Sequence, residues 1–248
     1  MDILAINGSP RKNGVTNLML EHFMKGAAEA GATTELIQLA DEKIHHCTGE
    51  FHCWFQKPGV CLWDGRQGDT MARIREIFSR ADKVVFGTPI YVDGMTGLMK
   101  TMFDRFLPNV HPHIELDKNG DIRHPLRVGR PGKKMVLVSC SGFPEPETFS
   151  ALVKHFERIV KNMRADLAGR LLRPSGGALH TPGRISEETR NAVLAAIVRA
   201  GKEFVEQGRV SPETEKAVSV NYMPVDKKLF AQGFNAMVES AFKAAAAS

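Results

Sequence analysis

Val84-Val85-Phe86, framed by Lys83 and Gly87, sets apolar side chains at consecutive positions with no polar residue alternating between them. A strand that reads this way is covered on both faces, the mark of a parallel sheet held between helices. Ile3-Leu4-Ala5-Ile6 is a second apolar run and Lys134-Met135-Val136-Leu137-Val138-Ser139 a third. Each passes through a loop into a segment of helical apolar spacing. Alternating strands and helices predict an α/β chain with right-handed crossovers and helices on both faces.

Helical spacing runs from Asn17 to Ala30, where Leu18, Leu20, Phe23, Met24 and Ala27 share a face. It returns from Asp69, read as a cap, to Arg80, and again over about a dozen residues containing Leu98, Met99, Met102, Phe103 and Phe106. Two more helices are expected from about Glu147 to Met163 and from Ser186 to Gln207. Thr33 to Leu39 and the weaker Ala168 to Leu172 complete five strands. The expected domain is 1–207, with irregular insertions at 40–68 and 108–131. Residues 208–248 are expected to form a helical extension, with one amphipathic helix from Asp226 to Ala244. Its Phe230, Phe234, Met237 and Phe242 need cover from their own domain or from a neighbouring subunit.

In open parallel sheets ligands bind beyond the carboxyl ends of the strands. Three loops lie at such ends: Ser9 to Thr16, Pro89 to Met95, and Cys140 to Phe143. The first joins a strand directly to a helix, a junction that aims backbone N–H groups and a helix dipole at one point. It lacks both G-x-G-x-x-G and the Gly-Lys-Ser/Thr ending of a triphosphate loop, so a terminal phosphate monoester suits it best. The alternative is an ordinary turn whose Ser and Asn merely cap the helix.

The formal net charge is +5, with the basic residues scattered, which argues against nucleic-acid binding. No stretch approaches the roughly twenty apolar residues of a membrane span. Met1-Asp2-Ile3 starts a core strand with no leader before it, so a cytoplasmic location is expected.

Asn7 through Asn17, Cys47 through Cys61, and Ala81 through Tyr91 running on to Lys100 and Asp104-Arg105 together resemble the flavodoxin-like NAD(P)H-dependent FMN reductases. The likeness is nearer to their iron–sulfur flavoprotein branch and covers roughly the first 180 residues. It implies a doubly wound five-stranded parallel sheet in the order 2-1-3-4-5, with FMN as cofactor and NAD(P)H as co-substrate. It implies that Ser9, Arg11, Asn13, Thr16 and Asn17 hold the FMN phosphate. Pro89, Ile90, Tyr91, Val92 and Gly94 match the loop along the isoalloxazine ring, and Ser141, Gly142 and Phe143 match the third flavin loop. The flavin N5 is the reacting centre, so no side chain is expected to be catalytic. Lys100, Asp104 and Arg105 are read as structural ion pairing around the flavin loop. A homodimer or homotetramer acting on a small acceptor, such as a quinone, flavin or other aromatic compound, is the leading expectation. The rivals are a non-enzymatic FMN electron carrier that docks protein partners, iron–sulfur-linked or not, and a module that keeps the fold without flavin.

The cysteines depart from the resemblance. The iron–sulfur branch supplies approximately C-x2-C-x2-C and a fourth thiolate, whereas this chain reads Cys47-Thr48-Gly49-Glu50-Phe51-His52-Cys53 and then Cys61. Glu50 stands where the second ligand belongs, and a [4Fe–4S] cluster takes four cysteines. His45, His46 and His52 follow no familiar zinc spacing. Free thiols are therefore favoured over a cluster or zinc, and no metal is expected on Cys47, Cys53 and Cys61.

Overall fold

The computed structural model describes residues 1–117, 119–129, 131–181, 183–221 and 226–246. The first apolar run is β1 (Asp2–Asn7), followed by α1 (Val15–Glu29) and β2 (Thr33–Gln38). After the 40–68 insertion come α2 (Met71–Arg80), β3 (Lys83–Pro89) and α3 (Gly97–Asp104). The second insertion carries an antiparallel hairpin of β4 (Glu115–Leu116) and β5 (Ile122–Arg123). Then follow β6 (Lys134–Cys140), α4 (Ser150–Asn162), β7 (Asp166–Arg173) and α5 (Glu187–Glu206).

The main sheet is parallel throughout, in the order β2-β1-β3-β6-β7. With the hairpin strands set aside, that is the expected 2-1-3-4-5. Phe23, Ile197 and Phe204 belong to the core on one face, built from α1 and α5. Ile74, Phe86, Met102 and Phe156 belong to the core on the other, under α2, α3 and α4. Two covered faces are the physical reason the central strands carry no polar alternation.

Two elements differ from expectation. The third helix is shorter, and residues 107–109 continue it only as a 3-10 turn. The tail contains an unexpected helix, α6 (Pro212–Ser219), capped by Ser211 with Pro212 in its first turn. Thr214 and Val218 bury completely, and Glu215 accepts the Arg170 N–H at 2.7 Å, so the packed body runs past residue 207. The Ser-Pro start was a readable signal. The last helix, α7 (Lys227–Ala246), forms as expected but buries no residue. Among the described residues no helix is long and apolar enough to cross a membrane.

Candidate functional site

The strand order reverses between β1 and β3, and the carboxyl ends of β1, β3 and β6 bring the three loops to one edge of the sheet. β1 ends on the buried Asn7, whose Oδ1 accepts the Ser9 N–H at 2.9 Å and whose Nδ2 donates to Asn17 Oδ1 at 3.2 Å. Ser9 Oγ accepts the Arg11 N–H at 3.1 Å. These bonds fold the loop over the start of α1. Gly8 permits the fit: a Cβ there would lie 2.8 Å from Met99 Cε.

Gly14 precedes α1 without a side-chain cap, and no acidic residue stands in the first turn, where Thr16 and Asn17 are buried. First-turn N–H groups have no intrahelical acceptor. A buried, uncapped helix start therefore presents convergent donors and a positive dipole end, which is anion-binding chemistry. Ser9, Thr16 and Asn17 come together here, while Arg11 and Asn13 lie exposed on the outer loop. The Asn17 side chain is a brace: it accepts from Gln38 Nε2 at 2.6 Å and donates to Glu21 Oε1 at 2.7 Å. Asn7 was missed in the sequence, although a polar residue ending an apolar strand at a switch point marks it.

In the second loop, Tyr91 and Gly94 exchange N–H···O bonds at 3.0 and 3.1 Å around Val92 (φ 46°) and Asp93 (φ 60°). Two consecutive left-handed residues make a type I′ turn. A β-branched side chain is strained there, and Val92 is 99% exposed, so no packing compensates. Such strain collects at ligand clamps. Thr96 Oγ1 donates to Gly8 O at 2.6 Å and the Thr96 N–H to Thr88 Oγ1 at 3.1 Å, tying this loop to the first. Ile90 donates its N–H to Cys140 O at 2.9 Å, placing Pro89 and Ile90 beside β6. Val92→Asn, which tolerates the left-handed region, is expected to recover about 1 kcal/mol. Thermal unfolding of the flavin-free protein then rises by about 2–4 °C; an unchanged midpoint would show the turn to be unstrained.

In the third loop Ser141 is buried and its Oγ accepts the Phe143 N–H at 3.1 Å, leaving Gly142 and the Phe143 ring exposed. Ser175, from the segment after β7, donates its N–H to Phe143 O at 2.9 Å with φ 50°. Its hydroxyl is buried without a hydrogen-bond partner among the described residues. A Cβ on Gly176 would lie 2.8 Å from Cys140 Cβ and 3.4 Å from Val15 Cγ1. A fourth segment therefore joins the edge, one that no sequence signal assigned to the site. Cys140 Sγ lies 3.5 Å from Thr16 Oγ1, and burial pushes its thiol pKa up.

Lys100 and Asp104 pair at 2.6 Å on the exposed side of α3. Arg105 corrects the expectation of pairing around the flavin loop. It is buried against the cysteine insertion, bonded twice to Asp69 at 2.8 and 3.1 Å and to His45 O at 2.6 Å. Asp69 also accepts the Met71 N–H at 3.0 Å, so it serves the helix start and the guanidinium together. Cys47, Cys53, Cys61 and Cys140 are free. Burial, with Cys61, Glu50 and Cys47 nearby, pushes the Cys53 thiol up to about 11. A cavity of about 450 Å³ lies apart from all four edge segments, among Phe103, Phe106, Met135, Ile159 and the hairpin residues Ile122 and Arg123.

Residues 1–127 match the family described as NADPH-dependent FMN reductase. An iron-sulfur flavoprotein of Archaeoglobus fulgidus is 34% identical over 134 residues, covering 53% of this chain and 57% of that protein. The chain spans about half the length of the curated relatives it matches. Among solved structures, azoreductase AzrA superposes with a TM-score of 0.60 at 17% identity, over 84% of this chain and all of that one. The NAD(P)H:quinone oxidoreductase from Methanothermobacter marburgensis gives 0.58 at 17% identity, over 82% and 96%. Both share the flavodoxin-like fold.

Proposed function

The chain belongs to the NADPH-dependent FMN reductase family, and from that premise we propose that it binds FMN and moves electrons from NAD(P)H to a small acceptor such as a quinone, flavin or other aromatic compound. The observation that carries the reading is the buried, uncapped start of α1 at the edge where the other loops meet. Ser9, Thr16 and the first-turn N–H groups would hold the phosphate, with Arg11 and Asn13 closing over it. The strained turn from Tyr91 to Gly94 and the Ser141 to Phe143 loop would flank the ring, with Tyr91 and Phe143 supplying aromatic walls. Bound FMN supplies hydride acceptance and return. The protein's part is to orient the ring and keep one side of it dry, which needs no acid–base side chain. The apolar side of α7 supports a homodimer or homotetramer, and the free cysteines suit a cytoplasmic setting.

Purified protein is expected to carry one FMN and to oxidise NADPH or NADH when a naphthoquinone is added, with light scattering of the same sample reading the oligomer. Reduction only by a protein donor would favour the electron-carrier reading, and a colourless protein that takes up no FMN would sink both. Arg11→Ala with Thr16→Val removes a charge-assisted and a neutral hydrogen bond, together about 2–4 kcal/mol. FMN binding is expected to weaken roughly 30- to 1,000-fold, with riboflavin binding unchanged. Equal losses for both flavins would move the phosphate away from this loop.

A further inference from the structure

The relatives' name raises the question of what the cysteine insertion holds. Its two ends and its middle meet at one buried ion-pair core. Arg105 grips Asp69 with its two terminal guanidinium nitrogens and also lies 3.7 Å from Asp64. Asp64 pairs with Arg75 at 2.5 Å and accepts the Cys61 N–H at 2.9 Å. Asp69 accepts the His45 N–H at 2.9 Å, and the His45 ring stacks on Trp63 with centroids 4.3 Å apart. Arg75 closes the circuit on Arg105 O at 3.4 Å.

The donor set does not suit an iron–sulfur cluster. Three cysteines stand in the insertion where a cubane takes four. Glu50, at the second ligand position, is exposed and takes a hydrogen bond from Thr48. Cys61, Glu50 and Cys47 lie near enough to Cys53 to push its thiol pKa up, yet among the described residues no three His, Cys, Asp or Glu side chains are grouped so that they could hold one metal ion. Four buried polar atoms around the core have no hydrogen-bond partner among the described residues: His45 Nε2, Trp63 Nε1, Asp64 Oδ1 and Arg105 Nε. They mix donors with acceptors, which is what buried water satisfies. A cluster asks for thiolates.

We infer that the 45–69 loop is closed by an Arg75–Asp64–Arg105–Asp69 core completed by water, and that it takes up no iron–sulfur cluster. Electrons of a reduced flavin then reach the acceptor with no relay in this loop. The test uses the full chain made and purified without oxygen, with iron, acid-labile sulfide and FMN quantified on one sample before and after incubation with ferrous iron and sulfide and then desalting. Below about 0.1 iron per chain in both states is expected, whatever the FMN content, so a failed flavin reading does not disturb the result. Iron and sulfide at cluster stoichiometry, about two to four of each per chain, that survive desalting would overturn the inference. Limited proteolysis with a chelator present supplies a second readout. The wild-type loop is expected to stay resistant and the Arg105→Gln loop to be cut between 45 and 69. Cleavage of the chelated wild type within that loop would overturn it as well, even if Arg105→Gln fails to fold.

Discussion

Arg105→Ala is expected to lower the unfolding free energy at neutral pH by about 3–5 kcal/mol, the cost of stranding a buried partner of an ion pair. The Asp69 carboxylate is the stranded group: its side chain is fully buried and Arg105 is its bidentate partner. Burial by itself would raise the Asp69 pKa, but hydrogen bonds from Arg105 and from the His45 and Met71 N–H groups hold it below the usual carboxylate range. A depressed folded pKa gives stability that is complete above the unfolded value near 3.9 and is lost as pH falls through the lower folded value. Without Arg105 the burial effect dominates and the carboxyl titrates high. The variant's deficit is then largest near pH 7 and shrinks on acidification as Asp69 takes a proton. Urea unfolding at pH 7 and pH 4.5 reads both features; a deficit under 1 kcal/mol, or one that grows towards acid, contradicts the assignment.

Gly26→Val and Gly201→Val are expected to pry α1 from α5. A Cβ on Gly26 would lie 1.9 Å from Val198 O, and one on Gly201 2.0 Å from Phe23 O and 2.8 Å from Ala27 N. The obstacles are backbone atoms, so no rotamer change relieves them. The cost is at or beyond the top of the roughly 1–3 kcal/mol range for overpacking, which is about 6–12 °C of melting temperature in a domain of this size. Displacing α1 also breaks the Phe23–Phe204 ring contact, now 5.7 Å between centroids, and moves the helix start proposed to hold the phosphate at its other end. FMN affinity is expected to fall with stability in these two variants. Gly233→Ala on α7, where nothing lies within 4 Å, supplies the control and is expected to leave both unchanged or gain up to about 1 kcal/mol of helix propensity. Equal behaviour of the three variants would refute a close backbone crossing.

The parts of the site that were legible share one property: their chemistry is written within a dozen residues. The run from Ile3 to Asn17 carries strand, turn and helix start in series, and Pro89 to Gly94 follows its strand just as directly. Asn7 and Ser175 were missed for different reasons. Asn7 reads as the end of a strand until its two side-chain bonds to Ser9 and Asn17 are seen. Ser175 reaches the edge only because β7 lies beside β6. The Ser-Pro start of α6 was present but short, and its meaning came from burial of Thr214 and Val218.

By itself the sequence determined the alternating elements, the doubly covered strands and the strand-to-helix junction proposed to hold phosphate, because periodicity and turn chemistry act locally. Tertiary structure decided the rest. Arg105 sits one residue past a helix whose i, i+4 neighbours invite a surface pair, yet its partner is Asp69, 36 positions away. Gly26 and Gly201 look like weak points in two helices until the helices cross at backbone distance. Both facts depend on which elements the strand order makes neighbours, and burial then makes each pairing strong: a desolvated charge and a missing Cβ matter only where water and space have been removed.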